Sequence, residues 1–207
     1  MLIATKTWEI NFELASLSLN TKFVQGIKNG DLPKFIFQKY IAQDYFFLEC
    51  FARAYGLAIS KCNNIKSIRT LSQLLLGVSE ELILHENYAK DWGINIKTNS
   101  IEIPTKNYTD FLDKISQTQS LIEILFAMTP CMRLYAWIGK SISTMTLNNP
   151  YKEWILTYSD STFESLAESL ENLINEYENS YDLENANSIY KKAMHLELDF
   201  FEEYSKF

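Results

Sequence analysis

Three side chains stand in settings that their types do not favour, and each could do chemistry there. Cys131 directly follows Pro130 and precedes Tyr135 by one helical turn, so the sulfur and the phenol can face one cavity. A proline inside a helix has no N–H for the ladder, and its ring clashes with the carbonyl four residues back. The pattern therefore predicts a kink that opens space beside the sulfur. Free cysteine is usually a small buried hydrophobe, which is the reading for Cys50 and Cys62 and the competing one for Cys131. Nucleophilic work would require a stabilised thiolate.

Asp44 falls in the middle of a helical pattern whose 44, 47, 48 and 51 positions share one face with Phe47, Leu48 and Phe51. A buried carboxylate must find partners, and either a neighbouring helix or a ligand can supply them. The other possibility is an exposed face. Glu197 precedes Phe200 and Phe201 by three and four residues, so its face is also apolar. It is either an ordinary helix-surface glutamate or a carboxyl that burial keeps protonated. Tyr108, Tyr135 and Tyr158 each lie near a helix end or the expected kink, where a phenol could point into a pocket or merely pack. Glu81 and His85 are one turn apart, a spacing that suits metal ligation but is commoner as a structural hydrogen bond. His195 has no glutamate three residues before it.

These residues need long helices to position them, and the composition supports long helices. The chain of 207 residues is 47% hydrophobic, enough for one domain over 1–207 with a substantial core, and its 6 glycines and 4 prolines leave few obligatory breaks. Helices are predicted over about 3–17 and 21–29, the second closed by Asn29-Gly30-Asp31. Asp31 can cap a long helix to about Cys62 with Pro33 in its first turn. A helix over 65–92 should end at Gly93, and Gly77 within it allows close packing. The polar stretch from Asn95 to Pro104 reads as a loop, after which Thr105 caps a helix to about Ser116. Ser120 and Glu123 form a capping box for a helix reaching about Met145. Asn148-Asn149-Pro150 opens a short helix to about Tyr158, Ser161 with Glu164 makes a second capping box, and Asp182 caps a last helix running nearly to Phe207. No segment alternates as a strand. The fold class is all-α, a compact single-domain helical bundle.

A net charge of −7 repels phosphate backbones, so nucleic acid is not an expected partner. No run approaches the roughly 18 to 20 apolar residues of a membrane span, and Lys6 and Glu9 interrupt the apolar start, which points to a cytoplasmic protein without a signal peptide. Three cysteines without C-x-x-C spacing suggest neither a disulfide framework nor a zinc site.

In their order along the chain, these segments resemble the TenA family, the thiaminase II group of aminopyrimidine hydrolases. The clearest stretches are Phe23-Val24-Gln25-Gly26-Ile27 with Gly30-Asp31-Leu32-Pro33, and Tyr40 to Leu48 followed by Phe51-Ala52-Arg53-Ala54. Further anchors are Tyr108-Thr109-Asp110, Pro130-Cys131 with Leu134-Tyr135, Trp154 to Tyr158, and Glu197 with Phe200-Phe201. The resemblance implies a haem-oxygenase-like helical fold assembled as a homotetramer. It also implies hydrolysis of a C–N bond at a pyrimidine methylene, for thiamin salvage, on aminomethyl aminopyrimidine or thiamin. Cys131 matches the nucleophile and Glu197 the acid/base carboxyl. Asp44 matches the carboxylate that binds the aminopyrimidine edge, and Tyr108, Tyr135 and Tyr158 match ring-binding or hydrogen-bonding tyrosines. Phe47 would stack on the ring at a position that is tyrosine in some members. Arg133 departs from the usual aromatic or apolar neighbour of the cysteine. No metal or organic cofactor is implied. Two alternatives remain: a helical protein that binds a pyrimidine or a partner without turnover, and a haem or di-iron oxidase, for which His85 and His195 are a thin ligand supply.

Overall fold

Asn11 ends the first helix where hydropathy alone would continue it. A computed structural model describes residues 2–94, 100–144, 148–177 and 182–207, apart from the side chains of Tyr88 and Asp91. The expected helix over 3–17 is two, α1 (Ile3–Ile10) and α2 (Phe12–Leu19). The buried Asn11 side chain donates to the Thr7 carbonyl and to Asn187 Oδ1, both at 2.9 Å, so a local side-chain bond and a distant partner draw the backbone out of the helix.

Helix α3 (Lys22–Asn29) is capped by Thr21 and closed by Gly30 at φ 78°, a left-handed conformation that glycine adopts without a Cβ penalty. Helix α4 (Lys34–Ser60) has Pro33, not Asp31, at its N-cap. Asp31 is used in the preceding closure, its N–H and those of Gly30 and Leu32 converging on the Gly26 carbonyl. Helix α5 (Ile65–Trp92) is capped by Asn64 and ends at Gly93, φ 68°, as the sequence predicts.

Helix α6 (Ile103–Thr118) begins two residues before the expected Thr105 cap, with Glu102 at the N-cap. Part of the expected 95–104 loop lies outside the described residues. The Ser120–Glu123 capping box opens α7 (Leu121–Ser141), which runs through Pro130 as an assigned helix and ends before Met145, itself outside the described residues. Helix α8 (Lys152–Ser159) starts after Asn149 has accepted from the Tyr151 N–H and donated to the Ile27 carbonyl at 2.8 Å, pinning the turn to the end of α3. Asp160, not Ser161, caps α9 (Ser161–Glu176), because Glu164 is taken by Arg133 and Lys140 at 2.6 and 2.9 Å instead of closing a capping box. Asp182 caps α10 (Leu183–Glu203) as expected.

Among the described residues there is no strand. Helices α4 and α5 pack as a hairpin, and α7 lies in the middle, packed on α10, α9, α8 and α6. Among the described residues α7 alone is, by length and composition, apolar enough to cross a membrane, contrary to the expectation from the sequence, but 83% of its most apolar window is buried inside the fold. At Gly139 the backbone of α8 comes so close that an added Cβ would lie 2.4 Å from the Tyr158 carbonyl carbon. That approach sets Tyr158 over the stripe of α7 that carries Cys131 and Tyr135. Gly77 plays a milder version of the role on α5, where a Cβ would meet Leu166 at 3.1 Å.

Candidate active site

Side chains from five helices line a small inner chamber. Helix α4 supplies Asp44, Phe47, Leu48 and Phe51, the face expected from their spacing. Helix α7 supplies Cys131, Met132 and Tyr135, and Glu81, Tyr158 and Phe163 close it from α5, α8 and α9. The chamber measures about 10 Å³, room for about one water molecule and less than a pyrimidine ring needs. Glu81, Met132 and Phe163 also line an outer groove of about 310 Å³ bounded by α5, α8 and α9, so these three form the wall between chamber and groove.

Asp44 is buried at 3% exposure and is held by a tertiary pair that sequence reasoning missed. His85 Nε2 lies 2.7 Å from Asp44 Oδ2, and His85 Nδ1 lies 2.9 Å from the backbone carbonyl of Glu81. A carbonyl only accepts, so Nδ1 carries a hydrogen. Burial acts against charge on the ring, but the hydrogen bond and charge of Asp44, with Glu81, outweigh it and raise the His85 pKa. The two groups form a buried, hydrogen-bonded pair in which Asp44 favours the charged form of the ring. The Tyr40 hydroxyl also donates to Oδ2 at 3.4 Å and receives the Trp154 indole N–H at 3.2 Å. With its hydrogen spent on Asp44, Tyr40 accepts from Tyr135, whose hydroxyl is 3.4 Å away. Both of these bonds to Asp44 land on Oδ2.

Glu197 is buried at 2% exposure, a helix-surface glutamate in spacing only, and Tyr108 donates to its Oε1 at 2.8 Å. Burial pushes its pKa up to about 8, a nearby Asp44 charge adds to the rise, and hydrogen bonds from Tyr108 and Cys131 moderate it. The Cys131 thiol, 8% exposed, is raised well above its ordinary value by burial first and then by Glu197, Glu81 and Asp44. The stabilised thiolate that nucleophilic chemistry seemed to require is not the resting state: the site holds a protonated thiol beside a carboxyl that is itself protonated at neutral pH. Cys50 is held by Asp113 at 3.3 Å, which with burial pushes it up to about 12, and Cys62 donates to the Ala58 carbonyl.

The remaining expected residues also converge. Tyr135 and Tyr158 pack with ring centroids 4.8 Å apart, and Phe47 lies against Tyr108 at 4.6 Å. Tyr108 and Glu197 stand behind Phe47 and Cys131, outside the chamber lining proper. Tyr158 donates to Glu81 Oε1. The Glu81–His85 spacing does mark a structural hydrogen bond, but through the backbone carbonyl of Glu81. Its carboxyl is left for the chamber. Arg133 points away: its guanidinium binds Glu171 at 2.7 and 2.5 Å and Glu164 at 2.6 Å, tying α7 to α9. Among the described residues no three of His, Cys, Asp and Glu are grouped to hold a metal.

An all-helical bundle enclosing a cysteine, three carboxyls and packed phenols defines a class of small-molecule site, and the comparisons place it. The TENA/THI-4/PQQC family model matches residues 16–206, and the chain belongs to that family. It is 33% identical over 180 residues to an aminopyrimidine aminohydrolase of Halalkalibacterium halodurans, covering 84% of this chain and 77% of that protein. It is also 33% identical, across an alignment of 223 positions that covers 95% of this chain, to the mitochondrial bifunctional TH2 protein of Arabidopsis thaliana, of which it spans only 36%. The structure superposes on a TenA homologue of Pyrococcus furiosus with a TM-score of 0.92 at 21% identity, covering 99% of this chain and 100% of that one. Haem oxygenase-1 of a Synechocystis cyanobacterium shares the fold at a TM-score of 0.59 and 15% identity, covering 98% and 92%.

Proposed function

We propose that residues 1–207 form one domain that hydrolyses the C–N bond at the pyrimidine methylene of an aminomethyl aminopyrimidine, with thiamin as a second substrate, yielding hydroxymethyl aminopyrimidine for thiamin salvage. The observation that carries this reading is the burial of Cys131 beside a Glu197 carboxyl held near 8, across one chamber from the Asp44 carboxyl paired with His85. The similarity to the aminopyrimidine aminohydrolase of H. halodurans supports it.

The pyrimidine is a poor electrophile, so sulfur and a proton must be added to it together. Protonated Glu197 gives its proton to a ring nitrogen while the Cys131 sulfur bonds the ring carbon. The thiol's own proton then returns to Glu197, so no free thiolate need accumulate. Loss of aromaticity lets the methylene expel the amine, water captures the methylene, and sulfur leaves as the ring is restored. Asp44 Oδ1 holds the amino edge, His85 fixes that carboxyl through Oδ2, and Phe47 with the tyrosines stacks the ring and excludes water. The chain acts without a metal or organic cofactor, in the cytoplasm, as a homotetramer, the assembly implied by family resemblance.

Incubation of the purified protein with thiamin and with aminomethyl aminopyrimidine, followed by product chromatography, tests the reading. Formation of the hydroxymethyl product supports it. Saturable binding of the pyrimidine without product would favour a non-catalytic binding protein.

A further inference from the structure

We propose that Glu81 is a second acid–base residue of this site, which takes a proton from the water that captures the methylene and gives it to the departing amine. The inference rests on the hydrolysis proposed above. It starts from position: of the three residues that separate the inner chamber from the outer groove, Met132 and Phe163 cannot titrate and Glu81 can. Water coming in by the groove and an amine going out by it both pass this carboxyl.

The proton inventory calls for such a group. The substrate amine is an ammonium at neutral pH and leaves as ammonia, with the C–N electron pair staying on nitrogen. Water forms the new C–O bond and releases one proton. That proton passes to the Glu81 carboxylate and from there to ammonia, giving an ammonium ion and returning Glu81 to its starting form. Glu197 and Cys131 are occupied on the ring, where one proton cycles between nitrogen and sulfur, so neither is placed to serve both the water and the amine.

The surroundings of Glu81 suit the task. Tyr158 donates to Oε1 and fixes the carboxyl, while Tyr158 itself packs on Tyr135 at 4.8 Å. The groups that act on it are Asp44 from α4, His85 on its own helix and Tyr158 from α8, while Cys131 on α7 and Tyr40 and Tyr55 on α4 in turn feel its charge. Glu80 and Asp160 line the same groove. Burial raises Glu81 and the Asp44 charge adds to it, while His85 and Tyr158 pull it back, leaving it at about 7. A base near the working pH transfers protons in both directions with least loss.

The test is the pH profile of kcat/KM for aminomethyl aminopyrimidine in the wild type and in Glu81→Gln. The wild type needs Glu81 ionised and Glu197 protonated, so a narrow bell with limbs near 7 and 8 is expected. Glu81→Gln should fall by roughly 10²-fold and lose the acidic limb. Azide, an anionic nucleophile that needs no proton removed, should restore consumption of substrate in that variant and give the azidomethyl product. Tyr158→Phe removes the bond that favours the carboxylate and should move the acidic limb upward, a readout that stands even if Glu81→Gln fails to fold. An active wild type whose Glu81→Gln variant keeps the acidic limb, or whose Tyr158→Phe variant leaves the limb in place, would overturn the role of Glu81. A wild type that converts neither substrate would instead overturn the reading beneath it.

Discussion

Replacing Glu197 by glutamine should stabilise the protein while removing its activity, and the stabilisation should grow with pH. Burial holds the native carboxyl near 8 where 4.5 is ordinary. Between those two values the native state keeps a proton that the unfolded chain has released. This group's contribution is therefore whole below about 4.5 and is lost as pH rises through about 8. At about 1.36 kcal/mol per pK unit, the loss is on the order of 3 kcal/mol at pH 7 and on the order of 5 kcal/mol above pH 8. Glutamine fills the same space, can accept from Tyr108 and carries no charge to desolvate, so it escapes the loss. For a chain of this size the gain at pH 7 corresponds to a Tm rise of roughly 6 to 12 °C. Thermal unfolding of both proteins by circular dichroism from pH 5 to 9 measures it. A Tm difference that stays constant over that range, or a variant less stable throughout, would refute the claim that desolvation governs Glu197.

Three further outcomes follow from the same geometry. Alkylation of Cys131 by iodoacetamide, read by peptide mass spectrometry, should be slow in the free protein up to pH 9, because burial and three carboxyls keep the thiol protonated; fast labelling at pH 7 would contradict this. Gly139→Ala should cost about 1–3 kcal/mol in denaturant unfolding and raise KM, since the new methyl would lie 2.4 Å from the Tyr158 backbone and push α8 off the chamber. Arg133→Ala should destabilise by about 3 kcal/mol, because it strands Glu164 and Glu171 in a partly buried setting, while leaving the limbs of the pH–rate profile where they are; a displaced limb would place Arg133 in the site.

Local pattern was enough for the parts of the molecule that local physics decides. The face shared by Asp44, Phe47, Leu48 and Phe51, the closing glycine at 93, the Ser120 capping box and the Asp182 cap each follow from residues within one or two turns, and each is present. The misses come where a distant partner outbids a local one. Asn11 looks like an ordinary helical position until Asn187 binds it, and Glu164 looks like the second half of a capping box until Arg133 and Lys140 claim it. Within the site, the cysteine, Glu197, Asp44 and the tyrosines were legible as a set from their order along the chain, whereas the His85–Asp44 pair spans 41 residues and the Tyr158–Glu81 bond 77, separations that no periodicity reports. The Glu81–His85 spacing did mark a structural hydrogen bond, but one made to the backbone carbonyl of Glu81, so the spacing gave no sign that the glutamate carboxyl faces the chamber.

The account stands most directly on the covalent role of Cys131. Single-turnover incubation of aminomethyl aminopyrimidine with the wild type, Cys131→Ala and Cys50→Ala, with the hydroxymethyl product and released ammonia both quantified, measures it. Calorimetric titration with the hydroxymethyl product checks that the alanine variant at 131 still binds. The wild type and Cys50→Ala should release product and ammonia in equal amounts, and Cys131→Ala should bind the product yet release neither. A Cys131→Ala protein that turns over at the wild-type rate would contradict the mechanism.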